Sequence, residues 1–381
     1  MPLNTPEMQP GLQTFQQREA VLLAPYAMHS DDSAGRKYPE PEHPYRGPFQ
    51  RDRDRILHCS AYRRLSGKMQ VFTGEMGDYH RTRLTHTHEV ASIARTIARA
   101  LRLNEDLVEA LALFHDIGHP PFGHAGEDAL NECLRDHGGF SHNRHALTIA
   151  EELEVRYHNF PGLNLTKEVL AGQAVRADKA NAALRPLLEV QLVDAADSIT
   201  YDAHDADDAV KLGLVSLEEL ADVPLIREVI ERVKDRFTDL TPGIERQLIV
   251  HELIDYQVSD VLRHCAEYLA DAQLRSSQEA RQAPFRISAS EQLSDNKAKL
   301  ERFLYERVYR HPKLIRVRSE AQTRLHQMFA GYCKQPELLP EQFKLRGPEV
   351  GVERSIGEYI AGMTDRYCND QFEIHFQTAG G

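Results

Sequence analysis

No apolar run in the chain reaches the roughly 18 residues that a membrane-spanning helix needs, so a helical membrane protein is not expected. Residues 1–17 are polar and lack the basic-then-apolar order of a secretory leader. Cysteine is sparse: Cys59, Cys133, Cys265, Cys333 and Cys368 are scattered, odd in number, and form no C-x-x-C pair. A disulfide framework and a cysteine zinc site are both disfavoured, and a reducing cytoplasm is the expected setting. Runs of alternating apolar and polar residues are also missing, and Val71-Phe72 is too short to make a strand. There is no internal repeat and no low-complexity tract. Positive charge is in deficit, with a formal net charge of −12, which makes nucleic acid an unlikely main partner. Anionic small substrates are not excluded, because local charge decides those.

What is present is an ordinary globular composition: 381 residues, 41% apolar and 27% charged, enough for one large domain or two smaller ones. Periodicity is helical almost everywhere. Leu84, Val90, Ile93, Ala94, Ile97 and Leu101 repeat mostly at three and four. So do Leu107, Val108, Leu111, Ala112 and Phe114, on a helix that Asn104 can cap. Further helices are expected near 143–157, 166–176, 186–212, 217–237, 246–272, 298–309, 313–333 and 352–372. Residues 24–50, rich in proline and polar groups, read as an extended arm, and the polar stretch 274–296 as a mobile loop. The expected fold class is all-α. The organisation expected is an N-terminal arm with the first basic segment (1–55), a helical core (56–215) and a C-terminal helical region packing on it (216–381).

Residues 51–83 hold eight basic side chains and four acidic ones, a local charge of +4. A charge run alone reads as a solvated surface. Chemistry enters with the segment that follows. His115-Asp116-Ile117-Gly118-His119-Pro120-Pro121-Phe122-Gly123-His124-Ala125-Gly126-Glu127 gathers three histidines, an aspartate and a glutamate at a helix end. Gly118, Pro120, Pro121 and Gly123 force a sharp turn there, and so many imidazoles beside such a turn are poor core packing. A second element, Arg83 to Val90, opens a helix with His86 and His88 two apart and therefore on different faces. His86 shares Val90's side, whereas His88 is expected at solvent or behind the site. In a third element Asp197, Tyr201 and Asp205 are spaced by four and form one stripe. An exposed acidic face is the plain alternative for that stripe.

Together His86, His115, Asp116 and Asp197 offer nitrogen and oxygen donors and no thiolate. That set suits one divalent ion per site, Mn, Mg, Fe, Co or Ni, better than a structural zinc. Four ligands leave two positions of an octahedral shell for a phosphate oxygen and a water.

The order H…HD…D resembles that of the HD phosphohydrolase superfamily, and the longer strings resemble the bacterial deoxyguanosine-triphosphate triphosphohydrolases. They include Phe49-Gln50-Arg51-Asp52-Arg53-Asp54-Arg55, Tyr62-Arg63-Arg64-Leu65, Gln70-Val71-Phe72, Tyr309-Arg310-His311-Pro312 and Gly362-Met363-Thr364-Asp365-Arg366-Tyr367. The resemblance covers most of the chain and implies an HD-domain helical core with a C-terminal helical extension. It implies metal-dependent cleavage of a deoxynucleoside triphosphate, dGTP first, into deoxynucleoside and intact tripolyphosphate. It makes His86, His115, Asp116 and Asp197 the metal ligands, His124 the catalytic histidine and Glu127 its partner. It assigns His119, His142 and Arg83 to the phosphates, Tyr201 and Asp205 to the deoxyribose, Gln70 to the 3′-hydroxyl side, and Arg366 to substrate binding. It implies a homo-oligomer, often a hexamer, and leaves open a dNTP effector. His88, where an apolar residue is expected, and Tyr79-His80 depart from the pattern. Two other readings stand beside it. One is a related phosphohydrolase acting on a nucleoside monophosphate, cyclic nucleotide or guanosine alarmone. The other is a non-catalytic nucleotide-sensing oligomer.

Overall fold

A computed structural model describes residues 11–70, 81–178 and 185–377. Val71-Phe72 and Tyr79-His80 lie outside the described residues. Among the described residues eighteen α-helices follow one another. The first group is α1 (Phe15–Leu22), α2 (Pro48–Leu57), α3 (Ser60–Arg64), α4 (Arg83–Ala100), α5 (Glu105–Phe114), α6 (Gly123–Cys133), α7 (His142–Thr148), α8 (Lys167–Ala177) and α9 (Leu188–Lys211). Then come α10 (Leu217–Leu220), α11 (Pro224–Arg236), α12 (Pro242–Asp271), α13 (Ser277–Gln282), α14 (Glu291–Phe303), α15 (Pro312–Lys334), α16 (Glu341–Val350), α17 (Val352–Ala361) and α18 (Asp365–His375). The fold is all-α; among the described residues the only β pairings are the isolated bridges Arg36–Thr166 and Met69–Thr82. No helix of the described residues is long and apolar enough to cross a membrane.

The local reasons are the expected ones at the centre. Thr82 caps α4 with a reciprocal Thr82–Thr85 box, and Asn104 caps α5 by accepting from the Leu107 N–H. The stripe Val90, Ala94 and Ile97 on α4 meets Leu107, Leu111 and Phe114 on α5 and Val193 and Ile199 on α9 in one buried cluster. Each large side chain fully buried there contributes on the order of 1.5–3 kcal/mol. A second cluster joins the end of α9 to α11, α12 and α14 through Ala203, Ile226, Leu253 and Leu300. A third joins α6 to α15 and α17 through Leu130, Leu134, Met328, Tyr332 and Ile356.

Several boundaries differ from the periodic reading. The stretch 274–296 is no loop: it contains α13 and the start of α14. Its polar residues are caps, with Ser276 accepting from Glu279 N and Ser290 from Leu293 N. Ser290 is itself held by Asp260, at 2.7 Å from its N–H and 2.9 Å from its hydroxyl. The expected helix 217–237 breaks because Pro224 starts a new helix at its first position. Helix 352–372 breaks where Thr364 caps α18. The arm 24–50 carries a short 3₁₀ turn, Ser30–Asp32, and α1 and α16 arise where no helix was expected.

The basic run is only partly surface. Asp52, Arg55, Lys68 and Arg83 are buried. Asp52 pairs with Arg36 and accepts from the Thr166 backbone at 3.0 Å, while Arg55 donates to Glu40 and to the Leu163 carbonyl at 2.5 and 2.7 Å. These pairs clamp the arm onto α2 and the loop before α8.

Candidate metal and catalytic site

A cleft of about 1060 Å³ opens where α4, the end of α5, α7 and α9 meet α14. His86, His115, Asp116 and Asp197 all line it. His86 Nε2 lies 3.0 Å from Asp197 Oδ1, and His115 Nε2 lies 3.5 Å from Asp116 Oδ1 and 3.8 Å from Asp197 Oδ1. Donor atoms of His86, His115 and Asp116 fall within 4.8 Å of one another. Asp197, on the neighbouring helix, faces the cleft with 35% of its side chain exposed.

The donor set passes a test of fit for a divalent ion. His115 Nδ1 sits 2.6 Å from the Ala112 carbonyl, which can only accept, so the ring proton is on Nδ1. The Nε2 lone pair therefore points at two carboxylates, and this buried atom has no hydrogen-bond partner among the described residues. A buried acceptor left without a donor is costly. A cation between these carboxylates and imidazoles removes the cost. Burial pulls the His115 pKa down, against the pull of Asp116 and Asp197, which keeps the imidazole neutral and able to ligate. Burial works against the Asp116 carboxylate, yet Arg83, His115 and His119 hold it well below the usual range. Asp197 is held low against burial by His115 and His86.

The turn after α5 and the start of α7 bring three more imidazoles beside this set. His119 Nε2 contacts Asp116 Oδ1 at 3.2 Å, and its ring stacks on His142 with centroids 3.8 Å apart. Gly118 makes this possible, since a Cβ there would lie 2.0 Å from the His142 carbonyl. Phe122 takes a left-handed conformation, φ 62°, as the chain enters α6. His124 then stands at the cleft mouth, 58% exposed, with its Nδ1 3.4 Å from Glu127 Oε2. Glu127 holds His142 more closely: its Oε1 is 2.7 Å from His142 Nδ1 and accepts from the His142 N–H at 2.9 Å. These bonds keep Glu127 ionised far below the usual range in spite of burial. The carboxylate thus serves two histidines, a sharing that spacing alone did not show.

Arg83 donates Nη1 to Asp116 Oδ2 at 2.9 Å and Nη2 to the Gln70 carbonyl at 3.1 Å. Gln70 and Tyr201 both line the cleft, and Gln70 Oε1 is buried without a partner among the described residues. Asp205 is sealed one turn behind Tyr201 and does not line the cleft; Tyr309 donates to it. Burial pushes its carboxyl up to about 7, with the Tyr309 and Tyr201 bonds pulling the other way. His88 is at the surface and meets the Tyr62 hydroxyl at 3.1 Å. Arg366 is not brought to the cleft: it is 92% exposed, 3.9 Å from Asp370. Position 366 follows the helix cap and points outward. Its neighbour Asp365 turns in, accepting from Met69 N and Phe122 N at 2.9 Å each.

Residue patterns missed the opposite wall. Arg286 and Lys297, from the stretch read as a loop and the helix after it, face the cleft, as does Arg176 on α8. Lys297 Nζ bonds Asp202 at 2.5 Å and Gln257 at 2.7 Å, and Arg176 lies 2.5 Å from Asp194. Lys68 was also missed, hidden in the basic run. It is 2% exposed, and its ammonium ties the His119 carbonyl to the Ala361 carbonyl, the latter at 2.9 Å.

Residues 83–202 match the HD domain and residues 287–373 a phosphohydrolase-associated domain. A protein of Ralstonia nicotianae is 43% identical over 362 residues, covering 91% of this chain and 92% of that one. Proteins of Leptospira interrogans and Geobacter metallireducens are each 41% identical, covering 94% of this chain and 97% and 96% of theirs. All three carry the name deoxyguanosinetriphosphate triphosphohydrolase-like protein.

Proposed function

The chain belongs to the deoxyguanosinetriphosphate triphosphohydrolase-like family, and from that premise we propose that it hydrolyses deoxynucleoside triphosphates, dGTP first, to deoxynucleoside and tripolyphosphate. The observation that supports this most is the unpartnered Nε2 of His115 beside His86, Asp116 and Asp197, opening on a cleft edged by His119, His124 and His142. Those four residues would hold one divalent ion, Mn, Mg, Fe, Co or Ni, which when bound polarises a phosphate oxygen and eases deprotonation of water.

The chain's own groups supply the rest. Arg83, at the edge of the ligand set, offsets phosphate charge in a partly desolvated site. His124 moves the proton from its exposed position at the mouth, and Glu127 orients both it and His142. His119 and His142, stacked as one unit, donate to phosphate oxygens. The Tyr201 ring fills the space where a 2′-hydroxyl would sit. Asp205 acts through its bonds to Tyr309 and Tyr201, and Gln70 faces the 3′-hydroxyl. With this reading go a cytoplasmic homo-oligomer and an effector dNTP. Incubation with each common dNTP and with GTP, across several divalent metals, and chromatography of the products tests it. Deoxynucleoside with tripolyphosphate is expected. Release of monophosphate, or hydrolysis of GTP as fast as dGTP, contradicts it.

A further inference from the structure

α7 is shared by two cavities. His142 and Asn143 on it line the catalytic cleft, while His145 lines a second cavity of about 330 Å³ on another side of the helix. Arg63 and Arg64 of α3 and Arg156, beyond the π-helical turn Ile149–Leu153, also line this second cavity. So do two carboxylates, Glu154 and Glu358.

Both carboxylates are already engaged. Glu358 takes Arg346 at 2.5 and 3.3 Å, and Glu154 accepts from the Ser60 hydroxyl at 2.5 Å and the Ala61 N–H at 2.9 Å. The three lining arginines, by contrast, form no ion pair among the described residues. Arg63 and Arg156 each spend one nitrogen on the His58 carbonyl, at 2.8 and 3.0 Å, and Arg64 spends one on the Ser60 hydroxyl at 3.1 Å. Arg64 Nε is buried with no hydrogen-bond partner among the described residues. His145 is 5% exposed, and its ring makes no hydrogen bond among the described residues. Burial and the positive charges of Lys68, Arg64, Arg354 and Arg346 press its pKa down to about 3, so the ring is neutral and keeps one N–H to give. The buried Arg64 Nε and the buried His145 ring need an acceptor, and the exposed Arg63 and Arg156 bring further unspent donors to the same small cavity. Guanidinium forks match the oxygens of a tetrahedral, multiply charged anion, and several such forks suit phosphate better than a single carboxylate.

We propose that this cavity binds a phosphate group, held by Arg63, Arg64 and Arg156 with His145 at its base. The site is separate from the catalytic cleft and does not depend on the reaction assigned there. The cavity has room for inorganic phosphate or a small phosphomonoester. It also adjoins the catalytic groups: Gly362 in its wall follows Ala361, whose carbonyl shares the Lys68 ammonium with that of His119.

Equilibrium dialysis of the full chain with radiolabelled inorganic phosphate tests the site. The wild type is expected to show a phosphate site that survives Arg83→Gln in the cleft. Arg156→Gln should weaken that site tenfold or more, and Arg64→Gln combined with Arg156→Gln should abolish it. Arg156 is exposed, so its variant remains informative if the double variant fails to fold. Ribose 5-phosphate added as competitor separates the sources: displacement identifies an ester-binding site, and no displacement identifies a site for the free ion. Phosphate binding unchanged by Arg156→Gln, or lost entirely with Arg83→Gln, overturns the proposal.

Discussion

Glu127 shows how a single side chain can be tied into more than one role. It reaches His124 at 3.4 Å and His142 at 2.7 Å, so removing it frees two imidazoles, whereas removing His124 deletes one. His124→Ala is expected to keep metal and substrate binding while turnover falls on the order of 10²-fold or more, the usual scale for lost acid–base help. Glu127→Ala should also lower turnover and should in addition raise KM, because His142 loses its anchor. Metal content by mass spectrometry and steady-state kinetics read both; loss of the metal in His124→Ala would hand its role to another residue, His119 first. Lys68 makes a second prediction at this scale. Burial is the main cause that brings its pKa down to about 7 from an ordinary 10.5. Between those values the unfolded chain binds a proton that the folded chain does not, so Lys68's contribution to stability rises with pH across that window. Below about 7 its charge is buried at full cost. Relative to Lys68→Met, the wild type should therefore gain stability from pH 7 to pH 10. Urea midpoints at the two pH values measure it, and an equal gap at both contradicts the assignment.

At the scale of elements, the site depends on how closely the end of α5 approaches α7. Gly118 has no room for a methyl group, with the His142 carbonyl 2.0 Å and the Ala146 nitrogen 2.5 Å from where its Cβ would be. Both obstructing atoms are backbone, so α7 itself must move. Gly118→Ala should cost about 2 kcal/mol or more, the range for overpacking. It should also lower turnover by separating His142 from His119. Thermal unfolding with kinetics on the surviving folded protein checks this; a fully active, equally stable variant would show that the stacked pair is dispensable. Helix α9 carries the other prediction. Tyr201 reaches the cleft, whereas Asp205 and the Tyr309 that donates to it lie behind Tyr201 and do not line it. Tyr309→Phe, distant in sequence from the proposed metal ligands, should therefore weaken discrimination between deoxyribo- and ribonucleotides, as Tyr201→Ala should. The ratio of kcat/KM for dGTP and GTP is the readout, and an unchanged ratio in both variants removes the stripe from sugar selection.

Across the whole molecule, legibility follows how local the signal is. The residues His115 to Glu127 are contiguous, and His86 and Asp197 sit on strongly periodic helices, so their convergence could be read from spacing and from the family's motif order. The opposite wall could not. Arg286 lies in a polar stretch whose serines look like loop residues but act as helix caps, and Lys297 on the helix that Ser290 caps, whose buried apolar anchors, Leu293 and Leu300, are few. Lys68 and Asp52 vanish into a charged run because burial of a charge depends on partners far away in sequence, here the Ala361 carbonyl and Arg36. Helix phase separates Arg366 from the cleft in this chain: Asp365 is the member of that string that turns inward, and Arg366, one residue on, faces solvent.

The most direct measurement is dGTP hydrolysis in ¹⁸O-labelled water with the divalent metal present, followed by mass spectrometry of both products. Water attack at the α-phosphorus breaks the bond to the 5′-oxygen, so the label should appear in tripolyphosphate and be absent from deoxyguanosine. His115→Ala and Asp197→Ala should yield neither product. Label in the deoxyguanosine, appearance of dGMP with pyrophosphate, or undiminished turnover in those two variants would contradict a triphosphohydrolase built on these ligands.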